Sequence, residues 1–233
     1  MNVNPKYKYD SAGDEIPISF NEGLSVGEHR ILCKDIELLN DYPFDQKPDV
    51  VIANPPWGNT MANMYRKKAS LEMPQKTNYW QTFIPALIRQ CDASKGAVFC
   101  QQGKKWSPRT MMAFETAGYR ISHSWEIAHW GQFPMPNWPT IMFRAVHAKN
   151  KDTGFDLDLT ALNDRTIAEH ILTVYAKGTV VYDPVAGKGA MGIASIKHNC
   201  IFYGCEIHPR ICSIALKELV KRTGKQPIKY TEQ

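Results

Sequence analysis

Short apolar runs that end abruptly in prolines, glycines or acids set the pattern of this chain. Val50 to Ala53 is apolar throughout, as expected of a strand buried on both faces of a sheet, and it stops at Asn54 because Pro55 and Pro56 bring no amide donors and fix φ. Further strands are predicted from His29 to Asp35, Gly96 to Cys100, Tyr119 to Ala128, Thr140 to His147, Thr179 to Asp183 and Cys200 to Glu206. Helix-spaced apolar residues fill 77–92, where Pro85 should kink or delay the helix. They recur from Thr110 to Ala117, closed by Gly118, and from Thr166 to Tyr175, stopped by Lys177 and Gly178. Strands alternating with helices predict an α/β domain with a mixed sheet of about seven strands and ligand sites at the carboxyl ends of neighbouring strands.

Between these elements the polar stretches carry the charge. Residues 1–28 read as a flexible N-terminal arm in which Lys6, Tyr7, Lys8 and Tyr9 alternate, and 223–233 as a C-terminal tail. Residues 58–76 read as a mobile loop beside the site, with Arg66, Lys67, Lys68 and Lys76 either touching phosphates or forming a solvated charged surface. The basic loop QQGKKWSPR offers Lys104, Lys105, Trp106 and Arg109 as a second set of phosphate and base contacts. In HWGQFPMPNWP, Trp130, Phe133 and Trp138 suit a rigid aromatic wall for a base, or equally the packing of a hairpin. Residues 148–164 lack a core pattern and read as a linker, dividing one domain, 29–222, into halves of 29–147 and 165–222.

Composition narrows the class without choosing the chemistry. A chain of 233 residues suits one well-buried domain, and no apolar stretch is long enough for a membrane span. No apolar signal core begins the sequence, so a cytoplasmic setting, bacterial or in a virus-infected host, is expected. The six cysteines lie in apolar runs without metal spacing and read as reduced, buried thiols, and no metal site is expected. A net charge of +5 leans toward a polyanion, short of the basicity of a dedicated nucleic-acid binder.

Two turns carry the candidate chemistry. The Asn54-Pro55-Pro56-Trp57 turn offers an amide oxygen, a carbonyl unused by any helix and a flat aromatic, a set able to accept both hydrogens of an exocyclic amino group while the base stacks. An ordinary proline turn after a strand would look the same. The second turn, DPVAGKGAMG, follows a buried strand and opens a helix, with Gly187, Gly189 and Gly192 allowing close backbone approach to a ligand. It lacks the ending of a phosphate-binding Walker loop, and Asp183-Pro184 before the glycines departs from a dinucleotide fingerprint. Glu206 ends the next strand, placed for two ribose hydroxyls or for solvent.

NPPW together with DPVAGKGAMG and YGCEI resembles the S-adenosylmethionine-dependent amino methyltransferases that act on adenine N6 or cytosine N4. The resemblance covers about residues 29–215 and implies a Rossmann-like class I methyltransferase fold. It implies Asn54, Pro55, Pro56 and Trp57 as catalytic residues, and Asp183, Pro184 and the backbone around Gly187 and Gly189 as the seat of the cofactor's methionine part. Glu206 would hold its ribose, and Asp35, which as a helix cap would need no ligand, would accept its adenine amino group. Because the NPPW turn precedes the glycine turn, the order matches the circularly permuted class often called β. That class often carries aspartate where Asn54 stands, and it usually inserts a target-recognition region where this chain has only its linker. The expected activity is DNA adenine-N6 methylation with S-adenosyl-L-methionine, as in restriction-modification. Arg66, Lys67, Lys104, Lys105, Trp106 and Trp138 would contact nucleic acid, and a homodimer or a specificity partner is admitted. Cytosine-N4 DNA methylation, RNA adenine methylation and a catalytically silent nucleic-acid-binding subunit remain alternatives.

Overall fold

A computed structural model describes residues 16–69, 77–127, 139–160, 162 and 166–230. The chain runs through β1 (Gly23–Val26), β2 (His29–Cys33), a 3-10 turn (Ile36–Leu38), β3 (Val50–Ala53) and α1 (Asn59–Lys68). A π-helical turn (Tyr79–Phe83) then leads into α2 (Ile84–Cys91), followed by β4 (Ala97–Gly103), α3 (Ser107–Thr116), β5 (Tyr119–Ile127) and β6 (Thr140–His147). The second half holds α4 (Ile167–Leu172), β7 (Val180–Asp183), α5 (Ala190–Lys197), β8 (Ile201–Glu206), α6 (Pro209–Thr223) and β9 (Pro227–Tyr230).

All the described strands join one sheet in the order β5-β6-β4-β3-β7-β8-β2-β1-β9. The central strands β4, β3, β7, β8 and β2 run parallel, while β6, β5, β1 and β9 pair antiparallel toward the two edges. β3 is buried along its whole length, and its alternation divides the core. Val50 and Ile52 pack with α4, α5 and α6 on one face, Val51 and Ala53 with α1, α2 and α3 on the other. This is the three-layer arrangement that a parallel sheet requires, since neither of its faces can be left to water.

Four sequence expectations change. The sheet has nine strands, not about seven, because β1 and β9 lie where an arm and a tail were expected. Four-residue segments with one or two apolar positions carry little pattern, and it is their pairing that makes them strands. Gly23 permits that pairing, since a Cβ there would lie 2.4 Å from the Tyr230 ring. Residues 59–68 of the expected mobile loop form α1, and residues 70–76 lie outside those described. The basic loop shrinks to a turn at 104–106, because Gln101 and Gln102 belong to β4 and are buried. The linker packs onto the sheet through Phe155 and Leu159, with Asp152 paired to the buried Arg144 at 2.8 Å. Pro85 falls in the first turn of α2, just after the π-helical turn Tyr79–Phe83 that leads into it.

Candidate active site

β3 and β7 are neighbours at the point where the sheet order reverses, with β4 and β6 to one side and β8 and β2 to the other. At such a point the connections leave in opposite directions and open a crevice at the carboxyl ends. Both turns singled out in the sequence sit there. A cavity of about 480 Å³ takes Asn54, Pro55, Pro56 and Trp57 as one wall and Pro184, Val185, Gly187 and Lys188 as another. Asp35 and Ile36, after β2, and Glu206, Ile207 and His208, after β8, complete the rim. Residues from the two halves of the chain thus share one enclosure.

Each wall has a local reason for its shape. Gly187 has φ +53, and a Cβ on it would meet only the Val185 carbonyl oxygen, at 3.9 Å, so the backbone faces open space. Gly189, at φ +82, is required for packing instead: a Cβ there would press on that of Ala215 at 3.0 Å. The Glu206 carboxylate accepts the Gly187 N–H at 2.9 Å through one oxygen and the His208 N–H at 2.9 Å through the other. Burial nevertheless raises its pKa to about 7. Asp183 lies beneath the turn, accepting the Val185 N–H at 3.0 Å, and is not part of the cavity wall. It closes this turn and caps no helix, since the N-cap of α5 is Gly189, and burial with the nearby Glu206 charge raises its pKa to about 8.

These two acids set a pH dependence. In the folded protein they hold protons up to about pH 7 and 8, whereas their ordinary values are 4.5 and 3.8. Across that window the folded state binds more protons than the unfolded one, so stability falls as pH rises. The melting temperature of the protein alone is expected to drop from pH 5 to pH 8. Combining Glu206→Gln with Asp183→Asn should flatten that slope, and an equally steep slope in the double variant would remove these groups as its cause.

Asp35 is both a cap and part of the cavity. It accepts the Glu37 N–H at 3.0 Å and pairs with Arg66, which also pairs with Glu37. Burial raises the Asp35 pKa, partly offset by the Glu37 amide and Arg66. Arg66 was expected to meet phosphate or solvent; in the cavity wall its side chain is 13% exposed and committed to two acids, Asp35 and Glu37. Lys67 is exposed on α1. Lys104 is exposed and paired with Glu126 at 2.8 Å, and Lys105 lies 5.6 Å from the Trp106 ring. Trp106 is half-buried against the NPPW turn, while Trp130, Phe133 and Trp138 lie outside the described residues. Sequence reasoning passed over His208, which caps α6 by accepting the Arg210 N–H at 3.2 Å and lines the cavity. The His-Pro step opening α6 was its only signal.

Around the catalytic candidates the geometry is selective. Asn54 is half-buried in the wall, and no described residue hydrogen-bonds its amide. Trp57 is only 6% exposed, so most of its ring packs within the protein and little of it faces the cavity.

No protein-family model and no curated protein sequence matches this chain. Solved structures do. TTHA0409 of Thermus thermophilus, complexed with S-adenosyl-L-methionine, is 13% identical over 88% of this chain and 98% of its own, with a TM-score of 0.62. PvuII DNA methyltransferase, cytosine-N4-specific, gives 9% identity, 86% and 92% coverage and a TM-score of 0.58. The M1.HpyAVI complex with S-adenosylmethionine gives 16%, 75% and 90%, and 0.54. The fold is that of the class I methyltransferases. Its strand order here is permuted: β3, bearing the Asn-Pro-Pro-Trp turn, precedes β7 and the glycine turn in sequence yet lies beside it in the sheet.

Proposed function

We propose that this protein transfers a methyl group from S-adenosyl-L-methionine to the exocyclic amino group of a nucleobase, with adenine N6 in DNA as its substrate. The observation that carries the reading is the single cavity walled by Asn54-Pro55-Pro56-Trp57 on one side and by the glycine turn and Glu206 on the other. Its volume of about 480 Å³ suits a small cofactor, and the lining chemistry suits this one. Ile36, Val185, Ile207 and Ile211 offer an apolar slot for a purine, Glu206 an acceptor for ribose hydroxyls, and Gly187 an uncluttered backbone. Asp35 lies in the same wall, in reach of a purine amino group. Asp183, with Pro184, shapes the turn that would hold the methionine part.

When bound, S-adenosylmethionine supplies a methyl group on a positively charged sulfur. The chain's own work is to place the nucleophile. Asn54 Oδ1 and the Pro55 carbonyl would accept the two amino hydrogens and so concentrate the lone pair on nitrogen; positioning and electrostatics do most of this and no strong base is required beforehand. The proline pair keeps those acceptors rigid, since neither residue can rotate about φ. The target base leaves its stack to enter the cavity and meets the narrow exposed part of Trp57.

The exposure of Lys67, Lys104 and Lys105 supports each as a contact for the nucleic-acid backbone. The segment at 148–160 packs on the sheet through Phe155 and Leu159, which supports low base selectivity of the chain alone, with finer specificity from a partner or a second copy. Cytosine N4 is the second reading, favoured by the likeness to PvuII methyltransferase. Incubating the protein with labelled cofactor and separate DNA and RNA, then identifying the modified nucleoside by mass spectrometry, tests all of this. N6-methyladenine in DNA is expected, N4-methylcytosine would shift the substrate, and no modified base on any nucleic acid would overturn the proposal.

A further inference from the structure

Two glycines on different connections owe their identity to one side chain. Gly58 follows the NPPW turn with φ 86 and ψ 175, a conformation open essentially to glycine alone, and a Cβ on it would lie 2.7 Å from Trp106 Nε1. Gly103, the last residue of β4, would place a Cβ 2.8 Å from Trp106 Cε3 and 3.1 Å from Trp57 Cε3. The indole of Trp106 therefore fills the space that both glycines leave, with Trp57 against the same Gly103. Its own backbone is fixed by a tight turn in which the Trp106 N–H donates to the Gly103 carbonyl at 2.8 Å and the Thr110 N–H donates to the Trp106 carbonyl at 3.1 Å.

A second aromatic meets the turn from below. Tyr79 is fully buried, donates its hydroxyl to Gln102 Oε1 at 3.2 Å and faces the Gly58 backbone and the Thr110 hydroxyl. Asn59 Oδ1 accepts the Tyr79 N–H at 2.6 Å, tying the start of α1 to the same point. Gly58 is thus gripped by side chains that approach from two separate connections, while the Asn54 amide, four residues upstream, has no hydrogen bond to any described residue.

We propose that Trp106 is a positioning residue of the Asn-Pro-Pro-Trp turn: a wedge between Gly58 and Gly103 that sets where Asn54 and Trp57 stand in the cavity, rather than a contact for nucleic acid. This deepens the methyltransferase reading and rests on it for its catalytic consequence. A turn whose amide carries no anchor of its own depends on the rigidity of what lies behind it, and displacement of a reacting group by about 1 Å can cost about a hundredfold in rate.

The test uses the full chain. Trp106→Ala is expected to lower turnover at saturating substrates about a hundredfold, with cofactor and DNA dissociation constants within about threefold of wild type. Trp106→Phe, which keeps a flat ring behind the glycines, should recover most of that loss. The Asn54 side-chain amide resonances in a nitrogen-correlated NMR spectrum should shift or broaden in Trp106→Ala and return toward wild type in Trp106→Phe. That readout needs no turnover, so a wild-type protein without methyl transfer but with the Asn54 change would sink the activity and keep the wedge. DNA binding weakened with turnover unchanged would make Trp106 a nucleic-acid contact and overturn the inference. So would a Trp106→Ala protein of lowered melting temperature whose Asn54 resonances and turnover are those of wild type.

Discussion

An Asn54→Ala protein is expected to bind S-adenosylmethionine within about threefold of wild type and to lose about a hundredfold or more of its turnover, as when other transition-state contacts are removed. The expectation follows from what Asn54 does not do. Its amide is bonded to no described residue, so deleting it orphans no partner, and Asp183, Glu206 and the glycine turn are held by contacts of their own. Trp57→Ala should behave differently. Its ring is 6% exposed and packs over Gly103, so its loss opens a cavity in the protein as well as removing a stacking surface of about 1–3 kcal/mol per base. Melting temperature should fall in Trp57→Ala and hold in Asn54→Ala. A folded Asn54→Ala protein that methylates at the wild-type rate would end the catalytic assignment of this turn.

On the opposite wall, Glu206→Ala is expected to weaken cofactor binding by about thirtyfold or more, roughly 2 kcal/mol, the scale of hydrogen bonds to a charged group. Its two oxygens already order the Gly187 and His208 amides, so the substitution also loosens the turn and the start of α6. Asp183→Ala should weaken binding too, by a less direct route. Asp183 is absent from the cavity wall, and its removal frees the Val185 N–H and lets the glycine turn relax. Calorimetry separates the routes, because the Glu206 effect should grow as pH rises through about 7 and the carboxylate of the wild type ionises. Unchanged affinity in both variants would remove the cofactor assignment altogether.

Much of this architecture was legible in the chain because the signals were local. An apolar run such as Val50–Ala53 can be satisfied only by burial on both faces, and two prolines after Asn54 leave the backbone nowhere to continue the strand. Gly187 was readable for a similar reason: a tight strand-to-helix turn with a positive φ favours glycine. Arg66 was not. A cation in a polar stretch reads as solvated or phosphate-bound, and nothing in the sequence places Asp35 and Glu37, far earlier in the chain, against it. The packing of Trp106 was not legible for the same cause, since an aromatic beside two lysines looks exposed until Gly58 and Gly103 are seen against it.

The sequence by itself determined the strands of the parallel core, the two turns that end β3 and β7, and the order in which they occur, because each depends on residues adjacent in the chain. Only the tertiary structure decided that these turns face one cavity, that β1 and β9 extend the sheet, and that Arg66 and Trp106 point inward. Those outcomes depend on which strand pairs with which, a choice made by the summed burial of two cores on the two faces of the sheet and carried by no single segment.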